Sequence, residues 1–402
     1  MDVIKHLPEV KQTIETAINI RVDLGPALIV TRGFSAIEVE ENYTHARELC
    51  EQLGETTQLF PVLWGLARVH DSRGELKVGR ELGEQLLTLA QREKDSALLL
   101  EAHHEIWANL SALGELTSAW THLEQGFVLY DPQKHRHHAF LYGGHDPGVC
   151  CGYHAAEVLW LLGYPDHALR RSQESLAMAR ELSHPSTMSF ALNWACWFHA
   201  HRGEGRAVQA LVRESDTLLT EQGFSRLWSQ VTFLQGWLLV EQGHQDAGIA
   251  QMLKVLGSDQ ARGRTVRWNG YCGALLAEAY RGTGRIVEGL KVATDTLTNV
   301  QQTDCRYYEA ELHRIKGELL LAQVAADEQQ AEACFQNAIK IARSQSAKSL
   351  ELRAAMSLSR LQQRQGKKEE ARTLLSETYG WFTEGFDTAD LKEAKVLLQE
   401  LS

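Results

Sequence analysis

The chain has 402 residues, with 52 acidic against 41 basic side chains, a formal charge of −11 and 44% hydrophobic residues. That hydrophobic share supports a sizeable core and excludes disorder by composition, while the acidic surplus, with no basic run to offset it, argues against a nucleic-acid partner. Only seven prolines interrupt a sequence rich in good helix formers, which disfavours an all-β fold.

The opening segment, MDVIKHLPEVKQTIE, has no basic-then-apolar leader. No later window approaches the roughly eighteen apolar residues of a membrane span, so no membrane association is expected. The seven cysteines include no CxxC pair and mostly sit among apolar neighbours, as free thiols do in a reducing cytoplasm. A cytoplasmic chain is the expectation.

Along the chain one landmark recurs: a glycine, a short polar turn, then a small residue about five places on. It stands at Gly33, Gly74, Gly114, Gly163, Gly203, Gly243, Gly284 and Gly366. The intervals are 41, 40, 49, 40, 40, 41 and 82 residues, the last being two repeats with the missing turn at Ala325. Each landmark lies between apolar segments of helical period, such as LFPVLWGLARVH before Gly74 and LGEQLLTLAQ after it. The unit is therefore helix, glycine turn, helix, with glycine supplying the left-handed residue that ends the first helix.

Small residues also recur seven places before the landmark (Ala67, Ala156, Cys196, Gly236, Ala277) and five after it (Gly79, Ala119, Ala168, Gly248, Gly289, Ala371). Those are the points where paired helices must approach closely. The pattern predicts an all-α fold, a right-handed superhelix (solenoid) of about eight to nine tetratricopeptide-like antiparallel helix pairs with a period of about 40 residues. A single domain over residues 1–402, closed by a capping helix at about 388–401, follows from it.

The one long interval, Gly114 to Gly163, places an inserted loop at about 131–148, within YDPQKHRHHAFLYGGHDPGVCCGYH. In one reading Asp146 simply caps a helix beginning at Pro147. In another the loop folds over a groove, and Tyr142, His145 and Asp146 offer polar contacts. His145, Cys150 and His154 are the candidate metal ligands, but no paired spacing fixes a ligand set and no cofactor is expected.

No phosphate loop, GxSxG elbow, HExxH or GxGxxG after a strand occurs, so a binding protein is expected and no enzyme. If first helices line a concave groove, its inward columns lie thirteen, ten, six and three places before each landmark. Glu101, Gln230 and Tyr271 fall in the first; Trp64, His104, Tyr153, Asn193 and Phe233 in the second; Arg68, Glu157, Trp197, Trp237 and Glu278 in the third; Arg281 in the last. Aromatic and charged groups so mixed suit a protein or peptide partner, or a small effector. Either a monomer or a homodimer fits. The alternative is a metal-binding or small-molecule-processing protein centred on the His/Cys-rich stretch 135–154.

The segments LGPALIVTRGFSAIEVEENYTHARELCEQLGE, YGGHDPGVCC, EAELHRIKGELLLAQ and YGWFTEGFDTADLKEAKVLLQEL resemble the C-terminal tetratricopeptide-like region of bacterial adenylate/guanylate cyclase–AAA/STAND ATPase signalling proteins. The resemblance implies a sensor or protein-interaction arm. This sequence contains neither the cyclase nor the ATPase domain, so no nucleotide chemistry is carried over.

Overall fold

The computed structural model describes residues 8–54, 57–222, 229–261 and 266–402. The first seven residues, on which the absence of a leader was partly read, lie outside them. Among the described residues there are helices, turns and no strand.

Among the described residues the helices form nine consecutive pairs: α1 (Pro8–Arg32) with α2 (Ile37–Leu53), α3 (Leu59–Arg73) with α4 (Leu76–Glu93), and α5 (Ser96–Leu113) with α6 (Leu116–Leu129). Two short helices, α7 (Pro132–His135) and α8 (His138–Leu141), then interrupt the series. It resumes with α9 (Pro147–Leu162) and α10 (Pro165–Leu182), α11 (Pro185–His201) and α12 (Gly205–Gln222), and α13 (Ser229–Glu241) and α14 (Gln245–Ala261). The last pairs are α15 (Val266–Gly282) with α16 (Ile286–Thr303), α17 (Glu309–Leu321) with α18 (Glu328–Ser344), and α19 (Lys348–Arg364) with α20 (Lys368–Tyr379), followed by α21 (Ala389–Glu400).

All eight landmark glycines adopt positive φ, between 71° and 94°. Several return turns between pairs are also left-handed but carry Lys94, Ser183 and Asp304. Within pairs the small residues sit at the crossing points. In the α13–α14 pair, a Cβ added to Gly248 would come within 2.5 Å of the Gly236 carbonyl oxygen, and one on Gly236 within 2.9 Å of the Gly248 carbonyl.

Successive first helices pack side by side and form the inner wall. The central ones, α9 and α11, are buried nearly all round; in α9 every residue from Pro147 to Leu161 is buried. A helix of that kind needs cover on both faces. The second helices cover one face, and the next turn of the superhelix covers the other. Helix α15 meets α3, and α19 meets α9.

Arg267, at the start of α15, ties that helix to α5 and α9. Its guanidinium donates to the Ala108 carbonyl (2.7 Å), the Ser111 hydroxyl (3.0 Å) and the Glu157 carboxylate (2.8 Å). Nearby the Arg306 amide donates to the Ala112 carbonyl at 2.9 Å, and the Arg353 side chain to the His201 carbonyl at 2.7 Å. An aromatic ladder fills the axis: Tyr153 stacks on Trp194 (4.8 Å), Trp194 meets Trp268 (4.8 Å), Trp268 stacks on Trp197 (4.7 Å), and Trp197 meets Tyr271 (4.8 Å).

Two substitutions test this account. Arg267→Ala leaves the Glu157 carboxylate buried without its partner and should cost about 3–5 kcal/mol in denaturant unfolding, part of which Glu157→Gln restores in the same background. Gly248→Ala forces the α13–α14 backbones apart and should cost about 1–3 kcal/mol.

Candidate ligand-binding site between the superhelical turns

The irregular interval forms a turn built around one ring. Gly143 and Gly144 both have positive φ, 67° and 74°. A Cβ on Gly143 would lie 2.8 Å from Trp64 and 2.9 Å from the His145 ring, so glycine is needed for space as well as for conformation. The Gly143 carbonyl accepts from Nδ1 of His145 at 3.0 Å.

Asp146 then caps α9: one carboxylate oxygen accepts from the amides of Gly148 (2.9 Å) and Val149 (3.0 Å), and the other from the Tyr130 hydroxyl (3.0 Å). Pro147 opens the helix. Tyr142 is buried edge-on against Trp64. Of the three loop candidates, His145 is thus the one aimed at the axis, while Asp146 holds a helix end and Tyr142 packs.

Beside the turn, α5 supplies Glu101 and His104, one helical turn apart. Glu101 is fully buried and accepts from Nδ1 of His104 (2.9 Å) and Nδ1 of His138 (2.7 Å). Burial raises the Glu101 carboxyl, and the two imidazole N–H groups compensate for its lost hydration. Burial lowers His104, His138 and His145 to about 4, and His154 well below the ordinary imidazole range.

Arg68 pairs with Asp71 (3.2 Å) and Glu105 (3.3 Å), and Asp71 also accepts from Asn109 (2.7 Å). Burial drives the Glu105 carboxyl strongly upward.

Of these groups Arg68, Asp71, His104 and His145 wall a cavity of about 120 Å³ between the turns, together with Phe34, Cys150, Tyr153, His154, Phe190, Asn193, Trp194, Gln230, Arg267 and Trp268. Several of the wall's buried polar atoms have no hydrogen-bond partner: His145 Nε2, His154 Nδ1, both amide atoms of Asn193 and Gln230 Oε1.

The columns read from the sequence do face inward, but not onto an open groove. Trp64, Glu101, His104, Tyr153, Glu157, Asn193, Trp197, Gln230, Phe233, Trp237 and Tyr271 are all buried. Arg68, His104, Tyr153, Asn193 and Gln230 share the cavity, whereas Trp64, Trp197, Phe233 and Trp237 do not line it. Glu157 is held by Arg267.

Tyr271, Glu278 and Arg281 belong to a separate cleft of about 510 Å³ beside α15, α17 and α19. The candidate ligands His145 and Cys150 come together with His104, and His154 is outside that group. Sequence reasoning missed Arg267, Trp194 and Trp268, whose roles exist only across turns. It also missed the Glu101–His104 pairing, which the i, i+3 spacing could have signalled.

Three segments, residues 153–202, 295–354 and 346–402, match the family described as anaphase-promoting complex subunit 5. An uncharacterized protein of Rhizobium meliloti (strain 1021) is 25% identical over 351 residues, covering 84% of this chain and 33% of the relative. The chain thus spans about a third of the length of the curated relative it matches.

Among solved structures, a Rap protein complexed with competence and sporulation factor superposes with a TM-score of 0.52 at 11% identity, over 96% of this chain and 97% of that one. A STAND signal-transduction ATPase with a tetratricopeptide repeat sensor, from Pyrococcus horikoshii, gives 0.38 at 14% identity, over 98% of this chain and 51% of that one. In fold the protein is a tetratricopeptide-like helical-repeat solenoid. No helix among the described residues is long and apolar enough to cross a membrane.

The buried imidazoles provide a direct check. In carbon-detected or proton NMR titration, the rings of His104, His138 and His145 should stay neutral down to pH 5 and protonate with midpoints near 4. A midpoint above 6 for all three would mean that water reaches the cavity wall freely.

Proposed function

We propose that the chain is the non-catalytic effector-binding module of a bacterial signalling protein, and that its effector is a small polar molecule held between superhelical turns. The observation that carries this reading is the set of unpartnered buried polar atoms on Asn193, Gln230, His145 and His154 around one cavity. A buried polar atom without a partner costs about 1–3 kcal/mol, so four such residues around one space amount to a standing preference for a ligand that satisfies them.

The resemblance to cyclase–ATPase sensor regions agrees with the sensor part of this reading, whereas the Rap protein that is similar in fold is complexed with a signalling peptide and bears on the peptide reading. Any signalling output would belong to segments other than those seen here, as the length of the Rhizobium relative allows.

A protein or peptide partner is the second reading, and it would use the larger cleft. The charged groups there are already matched to one another: Arg281 with Glu278, Arg314 with Glu311 and Arg353 with Asp390. A peptide would have to displace those pairs, which favours the small effector.

Asn193→Leu tests the proposal through a trade between stability and response. Replacing an unsatisfied amide by an apolar group of similar volume should raise stability by about 1–2 kcal/mol. The same change should abolish the thermal shift that the parent chain shows with its cognate compound in a panel of amino acids, short carboxylic acids and nucleobases. A destabilised Asn193→Leu protein that still responds to the same compound would place the site elsewhere.

A further inference from the structure

We propose that His104, His145 and Cys150 form a zinc-class metal site whose fourth position opens onto the cavity. The three side chains come from α5, from the turn after α8 and from α9, so the tripod is fixed by three separate elements. Their ligand atoms lie within 4.8 Å of one another, and the residues are only 3%, 4% and 1% exposed. In a tetrahedral shell with bonds of 2.0–2.3 Å the ligand atoms stand roughly 3.3–3.7 Å apart, so binding would draw the three side chains together.

The second nitrogen of each imidazole is already committed. Nδ1 of His104 faces the Glu101 carboxylate, and Nδ1 of His145 faces the Gly143 carbonyl. Both partners accept only, so both Nδ1 atoms carry the proton and both Nε2 atoms present a bare lone pair. His145 Nε2 has no hydrogen-bond partner although it is buried. A carboxylate or carbonyl behind a histidine is the arrangement that orients metal-binding imidazoles and raises their basicity. The two consecutive left-handed glycines shape the turn that holds the His145 ring in this position.

Charge is consistent with occupancy by a divalent ion. Burial pushes the Cys150 thiol up to about 12, with the Tyr153 hydroxyl and Arg68 pulling it back, so the free protein holds it protonated. On binding, the metal–sulfur bond replaces the S–H bond and one proton leaves to solvent. The thiolate and the Glu101 carboxylate behind His104 together balance the two positive charges. Arg68, the cation next to this group, is already matched by Asp71 and Glu105. Two imidazoles and a thiolate favour a borderline-soft ion over magnesium or calcium, and three protein ligands with an open position differ from a closed structural site.

The metal would take up His145 Nε2, one of the four groups counted toward the effector, and would leave Asn193, Gln230 and His154 to that effector, so the test uses the metal alone. The full chain, stripped with chelator and dialysed, is titrated with Co²⁺ and then with Zn²⁺ as competitor. One equivalent of cobalt should produce a thiolate-to-metal charge-transfer band and the intense visible bands of a four-coordinate ion, and zinc should erase both.

Cys150→Ser should remove the charge-transfer band, and Glu101→Gln, altering only the residue behind His104, should weaken affinity by about 10–100-fold. Cys196→Ser, a buried thiol elsewhere, should change nothing. A folded parent chain that shows no such band at one equivalent, or a Cys150→Ser protein that keeps it, overturns the assignment. The parent spectrum decides even where a variant fails to fold, and either result leaves the Asn193 experiment untouched.

Discussion

The superhelix closes on its own axis, and nearly everything else in the molecule follows from that. An open solenoid exposes the inner faces of its first helices. Here α15 reaches α3 and α19 reaches α9, so those faces become interior. Side chains there must pack like a core, and their polar atoms must find partners across the axis. The aromatic ladder from Tyr153 to Tyr271 meets the first demand, and Arg267, bridging α5 and α9, meets much of the second.

Where the second demand is left unmet, the pattern is local. Asn193, Gln230, His145 and His154 surround one small space, and the irregular turn at Gly143–Gly144 delivers one of them to it. The insertion that breaks the repeat is therefore an inner feature, folded against the axis with Tyr142 packed on Trp64 and Asp146 tied to a helix end. Its histidines are mostly buried: His135, His138 and His145 each have less than a twentieth of their surface exposed.

The repeat was legible because its signal is steric. A left-handed residue closes each first helix, and glycine adopts that conformation at the least cost, so eight landmarks mark eight turns. The return turns were silent, since Lys94, Ser183 and Asp304 take the same conformation without advertising it. The inward columns were also legible, because they depend only on helical register.

What register cannot supply is pitch. Whether one turn of the superhelix touches the next depends on small rotations accumulated over several repeats. For that reason Trp197 and Phe233 read as groove residues yet lie in the core, and Glu157 finds its cation in Arg267, a residue no local pattern connects to it.

That connection also alters how such a chain should come apart. In an ordinary repeat protein each unit touches only its neighbours, so the array frays from its ends and its stability is a sum of local parts. Arg267 joins residues 110 to 159 positions away in sequence, and Arg353 reaches back 152 to His201. Contacts of that span cannot survive the loss of the repeats between them. They convert a linear array into a single cooperative body, one that gains much of its rigidity only when the last repeats have folded back onto the first.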